Sequence, residues 1–152
     1  MVDGQPAIES YFKDFEPLPH FEKTYVSLWD GWLGPERSHL LDDVTREDEL
    51  KLVDFYWSLA TRFEVFRIDL KVGTVARFGG PDRRSLAADV INGSRTHAQF
   101  FKLIVPALDC LVTEEWDYTA IIWHRSETAP AQLLDMVESA GLKHFTDQVE
   151  AN

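Results

Sequence analysis

The most regular pattern of apolar positions along the chain lies between residues 46 and 62. Apolar side chains recur there at three- and four-residue intervals, as on one face of an α-helix: Leu52, Tyr56, Leu59 and Phe63. Thr45 stands just before this stretch, and Asp48 lies three residues after Thr45, which is the spacing of a helix-capping box. The pattern therefore predicts a helix over residues 46–62 with one buried face.

Strands are predicted where apolar residues alternate with polar ones or run continuously, and where β-branched and aromatic residues are frequent. These segments are residues 24–29, 64–70, 74–78, 118–124 and 142–145. The second and third are separated by a short stretch that contains Gly73, which predicts a β-hairpin. The fourth offers no polar face, which is typical of a strand in the middle of a sheet.

Prolines delimit two of the other predicted helices. A short helix is expected near residues 7–15, because two prolines follow closely and prevent its continuation. The last helix is expected to have Thr128 as its N-cap and Pro130 in its first turn. Gly141 then supplies the left-handed residue that ends this helix, and the residue after it folds back onto Val137.

A buried helix is expected over residues 98–112, which are apolar on nearly all sides. Pro106 would kink or restart it, because proline lacks the backbone donor. A short helix over residues 85–91 precedes it, and residues 92–94 are expected to break the chain, with Ser94 as the next N-cap.

The mixture of predicted helices and strands is typical of an α+β domain. We expect one globular domain over residues 1–152, with a mixed or antiparallel sheet of about four to five strands packed against three to four helices. A chain of this length buries a sizeable core without disulfides. Cys110 is the only cysteine and lies among apolar residues, so we expect a buried, unreactive thiol.

Several classes of protein find no support in the sequence. We see no signal peptide, and no apolar run approaches the roughly 20 residues of a membrane span, so we expect a cytoplasmic protein without membrane association. Nucleotide-binding, metalloprotease, esterase and calcium-loop motifs are missing from the sequence. The five histidines do not have ligand spacing within one helix, so we expect neither a metal nor a cofactor.

The net charge of −11 is unevenly distributed along the chain. Residues 1–60 carry a net charge of −8, residues 61–105 a net charge of +4, and residues 106–152 a net charge of −7. An acidic protein repels phosphate backbones, so nucleic-acid binding is disfavoured, whereas a basic protein partner is allowed. Solubility alone is the competing explanation of the charge.

Loop tryptophans and two acidic clusters form the first candidate site. Two tryptophans flank a glycine in a predicted loop, and loop aromatics can anchor a protein partner. The predicted partner-binding residues are Trp29, Asp30, Trp32, Asp42, Asp43, Glu114, Glu115 and Trp116. The alternatives that stay open are a loop folded back over the core and acidic clusters that only solvate the surface.

A basic middle segment forms the second candidate site. Arginine side chains bind phosphate or carboxylate groups, and polar site residues often gather at the end of a buried strand. The predicted ligand-binding residues are Arg77, Arg83, Arg84 and His124. Internal pairing of these arginines with the acidic segments is the competing interpretation.

The sequence favours a small acidic protein-binding module over an enzyme. Inhibitors and immunity proteins that act on basic partners share its general size and charge, which is an analogy and not a motif match. One alternative is a small enzyme or ligand-binding protein with an anion-accepting pocket near Arg83, Arg84 and His124. Another is a domain that forms a homo-oligomer through its aromatic surface.

Overall fold

The structure is a computed structural model, and it describes residues 5–31, 33–79, 82–96, 101–115 and 118–146. Within these ranges the strands are β1 (Phe12–Lys13), β2 (Glu16–Pro17), β3 (Glu22–Ser27), β4 (Phe66–Asp69), β5 (Thr74–Arg77), β6 (Lys102–Val105), β7 (Cys110–Glu114), β8 (Thr119–His124) and β9 (Lys143–Phe145). The helices are α1 (Gly34–Arg37), α2 (Arg46–Arg62), α3 (Arg83–Thr96) and α4 (Ala131–Ser139). None of the helices in the described ranges has the length and apolar character needed to cross a membrane.

Seven strands form one antiparallel sheet in the order β5-β4-β6-β7-β8-β3-β9, and β1 pairs with β2 in a separate hairpin. The α+β class and the antiparallel sheet are confirmed, but the sheet is larger than the four to five strands expected. β3 lies between β8 and β9, so an early strand is held between two late ones. This pairing ties the two ends of the described chain into one sheet.

The prediction of a buried helix over residues 98–112 is wrong. Residues 98–100 lie outside the described residues, and the rest of the segment forms β6, a 3₁₀ turn at Pro106–Leu108, and β7. Leu103 belongs to the core under the helices, whereas Ile104 belongs to a core on the opposite face of the sheet. A strand that is buried on both faces is apolar all round, so its pattern resembles that of a buried helix.

Two predictions about other helices are also wrong. The segment near residues 7–15 forms a 3₁₀ turn at Ile8–Ser10 and then the β1–β2 hairpin. Residues 92–94 do not break the chain, because α3 continues through them, and Ser94 is therefore not an N-cap. Tertiary packing overrides the weak local preference here, since Leu86 and Val90 bury α3 against the core.

The capping box and the buried face of α2 are confirmed. The side-chain oxygen of Thr45 accepts a hydrogen bond from the Asp48 N–H at 3.1 Å, and the Asp48 carboxylate accepts one from the Thr45 N–H at 3.0 Å. The inward face consists of apolar side chains that are at most 4% exposed: Leu52, Val53, Phe55, Tyr56 and Leu59. α2 is therefore fixed both at its start and along its length.

The predicted end of α4 is confirmed, but its predicted start is wrong. Pro130 occupies the N-cap position instead of Thr128, and no side chain caps this end. At the other end Gly141 has a φ of 84°. The Gly141 N–H donates to the Glu138 carbonyl at 3.0 Å, and the next N–H donates to the Val137 carbonyl at 3.0 Å, which completes a Schellman motif.

Both faces of the sheet carry a hydrophobic core. Helices α2, α3 and α4 cover one face, which we call the helix-covered face. The N-terminal residues cover part of the other, which we call the second face, through Tyr11, Phe12 and Phe21. Cys110 belongs to the helix-covered face and is 1% exposed, which confirms its predicted burial. Burial raises the pKa of its thiol to about 12, so the thiol stays protonated.

Candidate functional site

Trp29 and Asp30 lie in the loop that follows β3. The Trp29 ring meets the Tyr118 ring edge-on, with 6.5 Å between the ring centroids, and Trp29 is half-buried. The Asp30 side chain is 82% exposed and lies 3.9 Å from the Arg37 guanidinium. Trp32 lies outside the described residues. Trp29 therefore rests against a neighbouring ring, whereas Asp30 offers its carboxylate to solvent.

Exposed carboxylates follow Asp30 along the same stretch of chain. Asp42 and Asp43 end a 3₁₀ turn at Ser38–Asp43, two residues before the cap of α2, and both are exposed. We define the acidic segment as Asp30, Glu36, Asp42, Asp43 and Glu47, all of which are exposed. Within the described part of the chain, its last four members form no ion pair. The acidic segment thus carries charge that the fold does not neutralise.

Glu114 does not belong to an exposed acidic cluster. It is 5% exposed, on the helix-covered face of β7, and its Oε1 accepts the Phe101 N–H at 3.1 Å. Burial raises the pKa of its carboxyl to about 7, against the opposing effects of that hydrogen bond and of Arg67. Glu115 is half-buried and accepts a hydrogen bond from the Thr113 hydroxyl at 2.7 Å. Trp116 lies outside the described residues.

Glu114 is part of a buried polar cluster that the sequence did not predict. The guanidinium carbon of Arg67 lies 4.7 Å from the centroid of the Phe101 ring. The Tyr56 ring meets the same ring with 5.6 Å between centroids, and its hydroxyl is buried without a hydrogen-bond partner among the described residues. Burial, followed by the charges of Glu114 and Glu115, raises the pKa of Tyr56 well above its usual value. The cluster therefore joins a neutral phenol to a carboxyl that exchanges its proton near neutral pH.

Two of the three arginines of the second candidate site are paired within the protein. The Arg77 guanidinium lies 3.2 Å from the Glu64 carboxylate, and Arg83 pairs with Asp54. Arg84 is exposed, and its charge helps to lower the pKa of Asp82, after the hydrogen bonds from Ser85. Arg83 is thus paired with a carboxylate of the acidic residues 1–60, as the competing interpretation expects, whereas the partner of Arg77 lies in the middle segment itself.

His124 lies apart from these arginines. It is 1% exposed, its Nδ1–H donates to the Ser126 carbonyl at 2.8 Å, and its Nε2 lies 2.9 Å from the Thr24 hydroxyl. Three strands separate β8, which carries His124, from β5, which carries Arg77. At about 4.8 Å per strand this separation is about 19 Å. The structure thus does not bring His124 and Arg77 together, and both nitrogens of the imidazole already have partners.

Arg125 forms a second cluster that sequence reasoning missed. Its guanidinium lies 2.7 Å from the Asp109 carboxylate, donates to the Ser10 carbonyl at 2.8 Å, and also contacts His20. It lies 4.6 Å from the centroid of the Phe21 ring. Arg125 therefore holds the N-terminal segment against the end of the sheet. These partners are up to 115 residues away in the chain, so no local pattern indicates them.

The described residues place no three histidine, cysteine, aspartate or glutamate side chains where they could together hold a metal ion. Asp42, Asp43 and Glu47 combine exposure with a lack of ion pairs among the described residues, and they lie close together in the chain. Comparison of the chain with protein-family models, with curated proteins and with solved structures finds no match.

Proposed function

We propose that the protein is a small binding module that docks on a basic protein partner through the acidic segment. The observation that carries this proposal is that Asp42, Asp43 and Glu47 are exposed and form no ion pair with the described residues. Exposed charges of one sign attract a partner of the opposite sign and orient it before contact.

The ion pairs elsewhere in the protein support this proposal. Two positive side chains of the middle segment form ion pairs within the protein: Arg77 with Glu64, and Arg83 with Asp54. Arg125 is likewise used at Asp109. Each of these pairs neutralises one positive and one negative side chain, so the net charge of −11 remains on side chains outside the pairs, which include Asp42, Asp43 and Glu47.

The acidic segment is also well fixed in space. Apart from Asp30, which lies in the loop after β3, its residues lie on α1, on the 3₁₀ turn at Ser38–Asp43 and on the first turn of α2, which the capping box holds. The Ser38 hydroxyl donates to the Pro35 carbonyl at 3.1 Å at the end of α1. Fixed carboxylates lose less conformational entropy on binding than mobile ones. An inhibitor or immunity-type protein that acts on a basic partner is the form of the proposal that size and charge favour.

The alternative function has less support. An anion-accepting pocket near Arg83, Arg84 and His124 needs side chains that converge on one place. Arg83 is paired with Asp54, and both imidazole nitrogens of His124 have protein partners. This alternative becomes the better interpretation only if a small anion stabilises the fold.

The proposal is tested by reversing charge in the acidic segment. A basic partner is first recovered with the wild-type chain, and its association with the purified double variant Asp42→Lys/Asp43→Lys is then measured at low and high salt. We expect the association rate to fall by about tenfold at low salt, because steering is lost. The difference should shrink at high salt, because charges are screened within about 8 Å at physiological ionic strength.

The matched control is Glu127→Lys/Asp135→Lys, which makes the same change in net charge at two other exposed positions. If both double variants slow association equally, the effect comes from net charge and the acidic segment is not the docking surface. If no protein partner is recovered and inorganic phosphate raises Tm, the anion-binding alternative replaces the proposal.

A further inference from the structure

A large aromatic side chain stands exposed at the tip of the N-terminal hairpin. The hairpin pairs Phe12 with Pro17 and Lys13 with Glu16, which leaves Asp14 and Phe15 as its two-residue loop. Phe15 is 64% exposed. Scattered apolar residues on a surface are ordinary, so exposure alone assigns no role to this ring.

The backbone at the tip makes Phe15 unusual. Asp14 has a φ of 53° and Phe15 a φ of 69°. Both loop residues of a type I′ hairpin have positive φ, and asparagine followed by glycine is the preferred pair. Aspartate tolerates this conformation, but a bulky residue at positive φ is an outlier. Phe15 thus opposes the local backbone preference while burying little of its own surface.

The base of the hairpin is held firmly. Tyr11 is 8% exposed and Phe12 is 4% exposed, and both belong to the core on the second face. The Leu18 N–H donates to the Tyr11 carbonyl at 2.9 Å, and Arg125 donates to the Ser10 carbonyl at 2.8 Å. A fixed base holds the backbone of the tip in place, which lowers the backbone entropy lost when a partner binds.

We propose that Phe15 is an anchor that inserts into an apolar pocket on the basic protein partner. The proposal rests on the proposed function for the charge of that partner. Asp14 and Glu16 flank the ring, and residues 5–22 contain four carboxylates against one lysine, a net charge of −3. The rim of the pocket is therefore basic, while its floor is apolar. Rigid aromatic anchors of this kind dominate the energy of many interfaces.

The first test uses photo-crosslinking from the tip. The full chain carries p-benzoylphenylalanine in place of Phe15 or, as a matched control, in place of Val72, a turn residue that is 71% exposed. Each protein is irradiated in an extract of the cells that make it, and the adducts are identified by mass spectrometry. We expect position 15 to form an adduct with a basic protein that position 72 does not form. No adduct from position 15, or the same adducts from both positions, overturns the proposal.

The second test separates binding from folding. The partner identified by crosslinking is purified in its free form. We expect Phe15→Gly to raise the Kd of the complex with this partner by at least about tenfold, mainly through faster dissociation. The same change should raise Tm by about 2–4 °C, because glycine suits the turn. Val72→Gly should leave Kd unchanged. A lower Tm for Phe15→Gly, or an unchanged Kd, shows that Phe15 serves the fold and overturns the proposal.

The anchor and the acidic segment fail in distinguishable ways. If Phe15→Gly weakens binding and Asp42→Lys/Asp43→Lys leaves the association rate unchanged, the anchor stands and the proposed docking surface is wrong. If only the charge reversal has an effect, the proposed function stands and the anchor is wrong. A crosslinked partner that is acidic overturns both.

Discussion

Glu114 shows how a single carboxyl can couple this fold to pH. Its side chain is buried beside Phe101, with Arg67 and Glu115 as the charged neighbours that affect its pKa. The pKa of the Glu114 carboxyl in the folded protein is about 7, above its ordinary value of 4.5. The folded state therefore binds more protons than the unfolded state between these two values. Stability from this group is present below pH 4.5 and is lost as pH rises through 7.

Replacing Glu114 by glutamine should remove this dependence. Glutamine keeps an oxygen that can accept the Phe101 N–H but does not titrate. Relative to Glu114→Gln, the wild type should lose on the order of 3 kcal/mol of stability between pH 4.5 and pH 8. Urea denaturation at several pH values measures the difference. The control Glu36→Gln, at an exposed position, should follow the wild type. Parallel curves for wild type and Glu114→Gln would show that Glu114 is ionised throughout.

The sequence placed Glu114 in the wrong environment for an identifiable reason. The adjacent carboxylates of Glu114 and Glu115 are typical of one solvated cluster on the surface. In a strand, however, the side chains of successive residues point to opposite faces of the sheet. Glu114 shares the helix-covered face with Val112, which is fully buried. Recognising this needs the strand assignment of β7, and the all-apolar pattern around Pro106 was interpreted as a helix instead. Because β7 was not predicted as a strand, the predicted environment of Glu114 is wrong as well.

At the scale of elements, local signals predict some helix and turn ends correctly, but not the N-caps expected at Thr128 and Ser94. The capping box of α2, the β4–β5 hairpin and the left-handed Gly141 were all predicted from short spacings. Strand order and sheet size could not be predicted in this way, because the pairing of strands depends on partners far away in the chain. The exposure of Asp42 and Asp43 could be predicted, because carboxylates are almost never fully buried unless they are paired.

Gly141→Val tests the end of α4. Valine strongly disfavours a φ of 84°, so we expect a loss of at least about 1 kcal/mol in the free energy of unfolding. A clash is not the cause, because a Cβ there would meet only the flexible Lys51 side chain at 3.5 Å. Gly31→Val is the control, since a Cβ at Gly31 meets nothing within 4 Å. Equal denaturation midpoints for the two variants would contradict the role of the left-handed conformation.

At the scale of the whole molecule, Arg125 connects the N-terminal segment to the sheet. The guanidinium joins Asp109, Ser10 and the Phe21 ring. The β1–β2 hairpin is not part of the main sheet, so side-chain contacts must hold it in place. The stability of the second face should therefore depend on this one arginine.

We expect Arg125→Ala to loosen the N-terminal segment without unfolding the sheet. Amide exchange at Leu18, whose N–H donates to the Tyr11 carbonyl, should become at least about tenfold faster. Amides of β7 and β8 should keep their protection. Hydrogen exchange followed by mass spectrometry measures both, with the exposed Arg62→Ala as control. Unchanged exchange at Leu18 would mean that the apolar contacts alone hold the segment.

The position of β3 has a consequence for how the chain is made. β3 leaves the ribosome before both of its neighbours in the sheet, which lie beyond residue 118. Thr24 and its hydrogen-bonded partner His124 are 100 residues apart in the chain. At about 5–20 residues per second, β3 waits roughly 5–20 s for a partner strand. Until then the backbone hydrogen-bonding groups of β3 have no partner strand, and any product truncated before β8 would leave both edges of β3 unpaired.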